Sequence, residues 1–198
     1  MPRVVSGKFR GIKLQTLAGD KTRPSGDRVK EAIFSQLSPR IYASRFLDLF
    51  SGSGQIGLEA LSRGASLVVL VEEMRQATRV IEKNLELCKQ SKTALSDLAS
   101  KSEAEPSLCL LQMTAEKAVK VLAKAGLSFD LIYFDPPWSE LASLVNKLSL
   151  DLREISSADA VLIIESEGVC PEPQGWELIA SRSYGRTLIS RFRKSDSL

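Results

Sequence analysis

Arg45-Phe46-Leu47-Asp48-Leu49-Phe50-Ser51-Gly52-Ser53-Gly54-Gln55-Ile56-Gly57 is the stretch on which the fold of this chain turns. Arg45–Phe50 reads as a short apolar strand, the glycines as a tight turn, and the residues from Gln55 to about Arg63 as a helix. A glycine turn between a strand and a helix lets a ligand approach the backbone beside the helix N-terminus. The same alternation continues outward. Leu67–Val71, Leu108–Gln112, Leu131–Phe134 and Val161–Ile164 read as strands, and Arg75–Lys89, Ala115–Ala125 and Leu141–Leu150 read as the helices between them. Trp176–Arg182 and Thr187–Phe192, joined at Tyr184-Gly185, read as a terminal antiparallel hairpin. Repeated β-α units predict an α/β, Rossmann-like domain: a mostly parallel seven-stranded sheet ending in the antiparallel C-terminal hairpin.

Two segments fall outside this pattern. Residues 1–40 are expected to form a basic N-terminal extension, with β segments at Arg3–Ser6 and Ile12–Leu14 and a leading helix at about Arg28–Leu37, and residues 41–198 to form the catalytic domain. Residues 90–107, rich in Ser, Ala, Lys and Glu, are expected to be a mobile loop without chemistry. The net charge of +3 is uneven. Residues 1–45 hold ten Lys and Arg against Asp20, Asp27 and Glu31, a net +7 that leaves −4 for the rest, as expected of a polyanion-gripping element beside a separate chemical centre.

Composition excludes several classes. The chain of 198 residues has no histidine, which removes Ser-His-Asp hydrolysis, a His base and His-bearing metal sites, and no metal is expected. Cys88, Cys109 and Cys170 are scattered and form no CxxC pair. No apolar run approaches the roughly 20 residues of a membrane span, and no signal-peptide h-region opens the chain, so a cytoplasmic protein is expected.

The first strand's Asp48, the turn residues Phe50, Ser51, Gly52 and Gly54, and Glu72 with Glu73 after the second strand form a nucleoside-binding pattern: an acid twenty residues beyond Gly52 can accept hydrogen bonds from ribose hydroxyls. Gly52-x-Gly54-x-x-Gly57 also satisfies the dinucleotide fingerprint, so an NAD-dependent dehydrogenase is a rival. Asp48 weighs against it, because a carboxylate before the glycines repels a pyrophosphate and suits an ammonium, such as the methionine part of S-adenosylmethionine. The tetrad Asp135-Pro136-Pro137-Trp138, after the apolar run Leu131–Phe134, weighs the same way. Proline cannot continue a central strand, but a carboxylate, a carbonyl and an aromatic ring held by a proline pair can clamp a flat ring through its exocyclic amine. Arg3, Lys8, Arg10, Arg23 and Arg28 are candidate RNA contacts, with Phe9 a candidate stacking platform and Arg182, Arg186, Arg191 and Arg193 candidates for extending that surface.

Together these residues resemble the bacterial 16S rRNA guanine-N2 methyltransferases, the RsmD family. The likeness runs through R-V-V-S-G-x-x-x-G-x-K-L from Arg3, R-P-S-G-D-R-V-K-E-A-I-F at 23–34, D-L-F-S-G-S-G-x-x-G-L-E-A-L-S-R-G-A from Asp48, Glu72, D-L-I-Y-F-D-P-P-W, V-L-I-I-E-S-E at 161–167 and the Y-G-R-T hairpin. The resemblance implies a class I methyltransferase fold using S-adenosylmethionine. It implies a monomer acting on one guanine of 16S rRNA in an assembled or assembling small subunit. Thr114 and Ala115 would lie near the adenine. Three positions depart from the family pattern: Trp138 where Phe or Tyr is usual, Thr114 where Asp or Asn is usual, and Ser25-Gly26 in place of a Thr-Thr or Thr-Ser pair. A DNA adenine-N6 methyltransferase would use the same clamp, and a catalytically silent RNA-binding assembly factor would use the same basic segment.

Overall fold

A computed structural model of the chain describes residues 2–17, 27–98 and 106–195. Within them lie strands β1 (Arg45–Asp48), β2 (Leu67–Val71), β3 (Ser107–Leu111), β4 (Phe129–Phe134), β5 (Ser156–Glu167), β6 (Trp176–Tyr184) and β7 (Thr187–Lys194). The helices are α1 (Asp27–Ile41), α2 (Gln55–Ser62), α3 (Arg75–Leu87), α4 (Ala115–Lys124) and α5 (Leu141–Glu154). The strands form one sheet in the order β3-β2-β1-β4-β5-β7-β6. β1 to β5 are mutually parallel, and β7 is antiparallel to both β5 and β6. The expected Rossmann-like sheet with its antiparallel hairpin is therefore the observed one.

Near-continuous apolar runs explain the central strands. All five residues of β2 (Leu-Val-Val-Leu-Val) are buried, as a parallel strand covered on both faces requires. α1, α2 and α3 cover one face, through Phe34, Leu58, Ile81 and Leu85 against Phe46, Val68 and Leu131. α4 and α5 cover the other, through Val119, Leu122, Leu144 and Leu148 against Leu47, Val69 and Ile132. β5 is longer than the apolar run Val161–Ile164 predicts: β7 pairs with it as far as Glu167↔Thr187, and its start pairs with β4 at Phe129↔Ser156.

The N-terminal segment is a tight loop pinned by one antiparallel bridge, Arg3 with Lys13. It is built into the molecule. Val4, Phe9 and Leu14 share a core with Phe34, Leu37, Phe46 and Leu61. Gly7, at φ +81°, lies so close to the end of α2 that a Cβ there would stand 1.8 Å from the Ser62 carbonyl oxygen. Of the stretch expected to be a mobile loop, residues 90–98 carry a single 3-10 turn at Leu95–Asp97. The Thr93 N–H donates to the Leu108 carbonyl at 2.7 Å, and Leu95 and Leu98 pack on the core. Residues 99–105 lie outside the described residues.

Candidate active site

The strand order reverses direction between β1 and β4, and this is where an open α/β sheet presents a crevice beyond the carboxyl ends of its strands. Asp48 ends β1, Glu72 follows β2, Thr114 follows β3 and Asp135 follows β4, so one edge of the sheet gathers them. The glycine turn joins β1 to α2. The Ser51 N–H donates to the Val71 carbonyl at 2.9 Å, and the Gly54 N–H to the Ser51 carbonyl at 2.7 Å. Gly52 and Gly54 adopt φ of +53° and +76°, which side chains resist. A Cβ on Gly52 would meet nothing within 4 Å, so its bare backbone faces open space and can take a close-lying ligand. Gly57 differs: a Cβ there would stand 2.1 Å from Leu70 Cδ2, so this glycine serves helix–strand packing.

Asp48 is buried, and its Oδ2 accepts the Gly57 N–H at 3.2 Å. Its Oδ1 has no hydrogen-bond partner. Burial, reinforced by the nearby Glu72 carboxylate, pushes its pKa up to about 7. A buried carboxylate with an unused oxygen at the crevice is suited to receive an ammonium group. Glu72 is half-buried, and its carboxylate accepts the N–H groups of Gly52 and Met74, both at 2.8 Å. Burial raises its pKa above the ordinary value. Glu73 is exposed, Ser51 is buried and Phe50 is partly buried, its ring edge-on to Phe134 at 5.1 Å. Thr114 caps α4, its Oγ1 accepting the Lys117 N–H at 3.4 Å, and Ala115 is buried at the start of that helix.

At the clamp, Pro136 is buried, and Pro137 and Trp138 are exposed, the indole to 41%. The Pro137 carbonyl accepts the Glu140 N–H at 2.8 Å, a turn that leads directly into α5 and fixes the tetrad's path. The Asp135 carboxyl is held well above the usual carboxylate range, chiefly by burial and then by the charges of Glu165 and Asp48. Two residues here were not among the candidates. Glu165, buried near the end of β5, accepts a hydrogen bond from the Tyr133 hydroxyl. Since β4 and β5 pair at Phe134↔Ile164, the next step of the ladder sets Asp135 beside Glu165. An acid ending an otherwise apolar central strand was the available signal.

The basic segment departs from expectation in one respect. Arg3, Lys8 and Arg10 are exposed, but Phe9 is only 5% exposed and belongs to the core, so it is no stacking platform. Its place follows from chain geometry: the Phe9 N–H donates to Ser62 Oγ at 2.9 Å, which turns the ring inward under the Lys8 ammonium. Arg28 lies in the first turn of α1, and Arg23, Ser25 and Gly26 lie outside the described residues. In the hairpin, Arg186 pairs with Glu167, and Arg193 with Glu177 at 3.0 Å, so both have acidic partners on the protein. Burial pushes the Cys88 and Cys109 thiols up to about 11, which disqualifies them as nucleophiles. No helix among the described residues is long and apolar enough to cross a membrane.

Known proteins resemble this chain over nearly its whole length. A family model described as conserved hypothetical protein 95 matches residues 2–193. The ribosomal RNA small subunit methyltransferase D of Haemophilus influenzae is 32% identical over 186 residues, 92% of this chain and 89% of that protein. The protein of the same name from Escherichia coli K12 is 29% identical over 97% of this chain and 89% of that protein. A solved structure of a hypothetical protein from Thermus thermophilus superposes with a TM-score of 0.78 at 25% identity, covering 98% of this chain and 99% of that one. The chain belongs to the family of the small-subunit ribosomal RNA methyltransferase D proteins.

Proposed function

We propose that this protein transfers a methyl group from S-adenosylmethionine to the exocyclic N2 amine of one guanine in 16S rRNA, acting as a cytoplasmic monomer on the assembled or assembling small subunit. The observation that carries the reading is the position of Asp135-Pro136-Pro137-Trp138, beyond the end of β4 and across the switch point from Asp48 and Glu72. The unpartnered Asp48 Oδ1 and the open face of Gly52 fit the cofactor's ammonium-bearing end, and Glu72 fits its ribose. Phe50, Ser51, Gly54, Glu73, Thr114 and Ala115 complete the proposed cofactor site. When bound, the cofactor supplies a methyl group activated on a sulfonium.

The protein's own work is orientation. An amine conjugated to a purine is a weak nucleophile. Asp135 and the Pro136 carbonyl accept its N–H bonds and hold its lone pair toward the methyl group, while Trp138 stacks on the base. Asp135 need not be a strong base, because the nitrogen's proton becomes acidic as the new bond forms. Arg3, Lys8, Arg10, Arg23 and Arg28 grip phosphates and set the register.

The test supplies labelled S-adenosylmethionine with small subunits lacking the modification, naked 16S rRNA and duplex DNA in separate reactions. Label recovered as N2-methylguanine from the subunits alone is the expected result. Label in naked RNA as well would remove the requirement for an assembled particle, and label in DNA adenine, or none anywhere, would overturn the proposal.

A further inference from the structure

Asn84 stands on the buried stripe of α3, between Ile81 and Leu85 on one side and Cys88 on the other, and is fully buried. Its side chain uses its full amide pattern across two distant pieces of chain. Oδ1 accepts the Gln15 N–H at 2.7 Å, and Nδ2 donates to the Gln15 carbonyl at 3.0 Å and to the Ser53 carbonyl at 2.9 Å. The amide thus pairs with Gln15 as a neighbouring strand would, and reaches with its second hydrogen to the middle of the glycine turn. Ile81, one turn earlier on the same face of α3, lies against Gly54, where a Cβ would stand 3.2 Å from Ile81 Cγ1. The helix therefore grips the turn at two successive residues.

Gln15 ends the basic N-terminal loop, whose other end is fixed as firmly. The Val5 and Ser6 N–H groups donate to the buried Glu59 at 2.7 and 3.0 Å, and the Lys8 N–H donates to the Ser62 carbonyl at 2.8 Å. The exposed Arg3, Lys8 and Arg10 lie on the same loop. Besides the loop's ties to α2, Asn84 gives it a direct link to the glycine turn, since Gln15 and Ser53 share that side chain.

We propose that Asn84 is a positioning residue that couples the basic N-terminal loop to the cofactor-binding turn, so that RNA held by the loop tightens the grip on the cofactor. The inference rests on the proposed function, in which the loop holds RNA and the turn holds S-adenosylmethionine. Coupling of this kind is reciprocal: whatever factor RNA adds to cofactor affinity, cofactor adds to RNA affinity. The buried amide cannot be released at either end without leaving a backbone group unpaired, which gives the tie its stiffness.

The experiment measures binding of S-adenosylhomocysteine, which has no methyl to transfer, to the protein alone and to the protein saturated with small subunits. The wild type is expected to bind it about 5–10-fold more tightly in the second case, within the usual range of such couplings. Asn84→Ala removes all three hydrogen bonds and should bring that ratio close to one. Gln15→Pro removes a single donor, the Gln15 N–H, and leaves the bond to Ser53 in place. It should lower the ratio while leaving the affinity of the free protein within about twofold, a pattern that general weakening of the fold does not produce. Hydrogen exchange of the 49–58 segment, without cofactor, should slow on subunit binding in the wild type and not in Gln15→Pro. If Asn84→Ala does not fold, Gln15→Pro decides alone. A wild-type ratio of one, or an unchanged ratio in Gln15→Pro, overturns the inference while methyl transfer into subunits by the wild type leaves the proposed function standing. Failure of the wild type to bind or methylate subunits overturns both.

Discussion

Asp48 shows how a buried acid draws on stability. In the folded protein it keeps its proton up to about pH 7, where an exposed aspartate loses it near 4. The folded state therefore binds more protons than the unfolded state between those values, and stability falls as pH rises through that window. Asp48→Asn removes the penalty and keeps an oxygen for the Gly57 N–H. It should stabilise the cofactor-free protein at pH 8 by up to about 4 kcal/mol, measured by urea denaturation, while weakening S-adenosylmethionine binding at least about tenfold. On the proposed reading, in which Asp48 receives the cofactor's ammonium, the wild type's affinity for the cofactor should fall as pH drops below about 7, because that carboxylate becomes protonated; calorimetry from about pH 5.5 to about pH 8 checks the direction. At the clamp, Asp135→Ala should reduce transfer by at least about 100-fold with cofactor affinity nearly unchanged. Trp138→Ala should raise KM for the RNA about 10-fold or more through lost stacking, and Trp138→Phe should restore most of it. Asp48, Glu72 and the tetrad were legible in the sequence because each sits at a fixed step from a strand end or a glycine. Glu165 and the Tyr133 hydroxyl bonded to it were not, since their meeting depends on which strands lie side by side.

At the scale of elements, α2 carries the densest information. All eight of its residues are buried, including Glu59, whose carboxylate receives Val5 N–H, Ser6 N–H and Arg63 Nε. The sequence reading did not single out Glu59, because its backbone donors Val5 and Ser6 lie far away along the chain. Gly57→Ala should destabilise the protein by about 1–3 kcal/mol through overpacking against Leu70, and cofactor affinity measured below the unfolding transition should change little, since this glycine packs and does not line the crevice. Glu59→Ala should cost about 3 kcal/mol or more, because three donors lose a buried acceptor. Thermal unfolding separates the two, and Glu59→Ala should also loosen the N-terminal loop to proteolysis. Boundaries of the strands were legible to within a few residues where apolar runs end in glycine, proline or charge. β5 outran its apolar core because its extra length is set by its partner strands, β4 at the start and β7 at the end.

At the scale of the molecule, the N-terminal loop shares one core with α1, α2 and the sheet. Val4, Phe9 and Leu14 bury their side chains against α1 and α2, each worth about 1.5–3 kcal/mol of transfer free energy. Their sum rivals the whole stability of an ordinary domain. Deleting residues 1–16 should therefore abolish or sharply lower the cooperative thermal transition, and should not leave a stable methyltransferase that merely lacks RNA binding. The periodicity of alternating strands and helices and the glycine turn after β1 specified the fold class from the chain alone, and the D-P-P-W tetrad pointed to methyl transfer, because each is a local pattern that acts within a few residues. The packing of the N-terminal loop onto α1, α2 and α3 belongs to the tertiary structure. Val5 meets Glu59 across 54 residues, Gln15 meets Asn84 across 69, and Tyr133 meets Glu165 across 32. Those pairings exist only once the sheet has brought distant segments together, so no local spacing could have announced them.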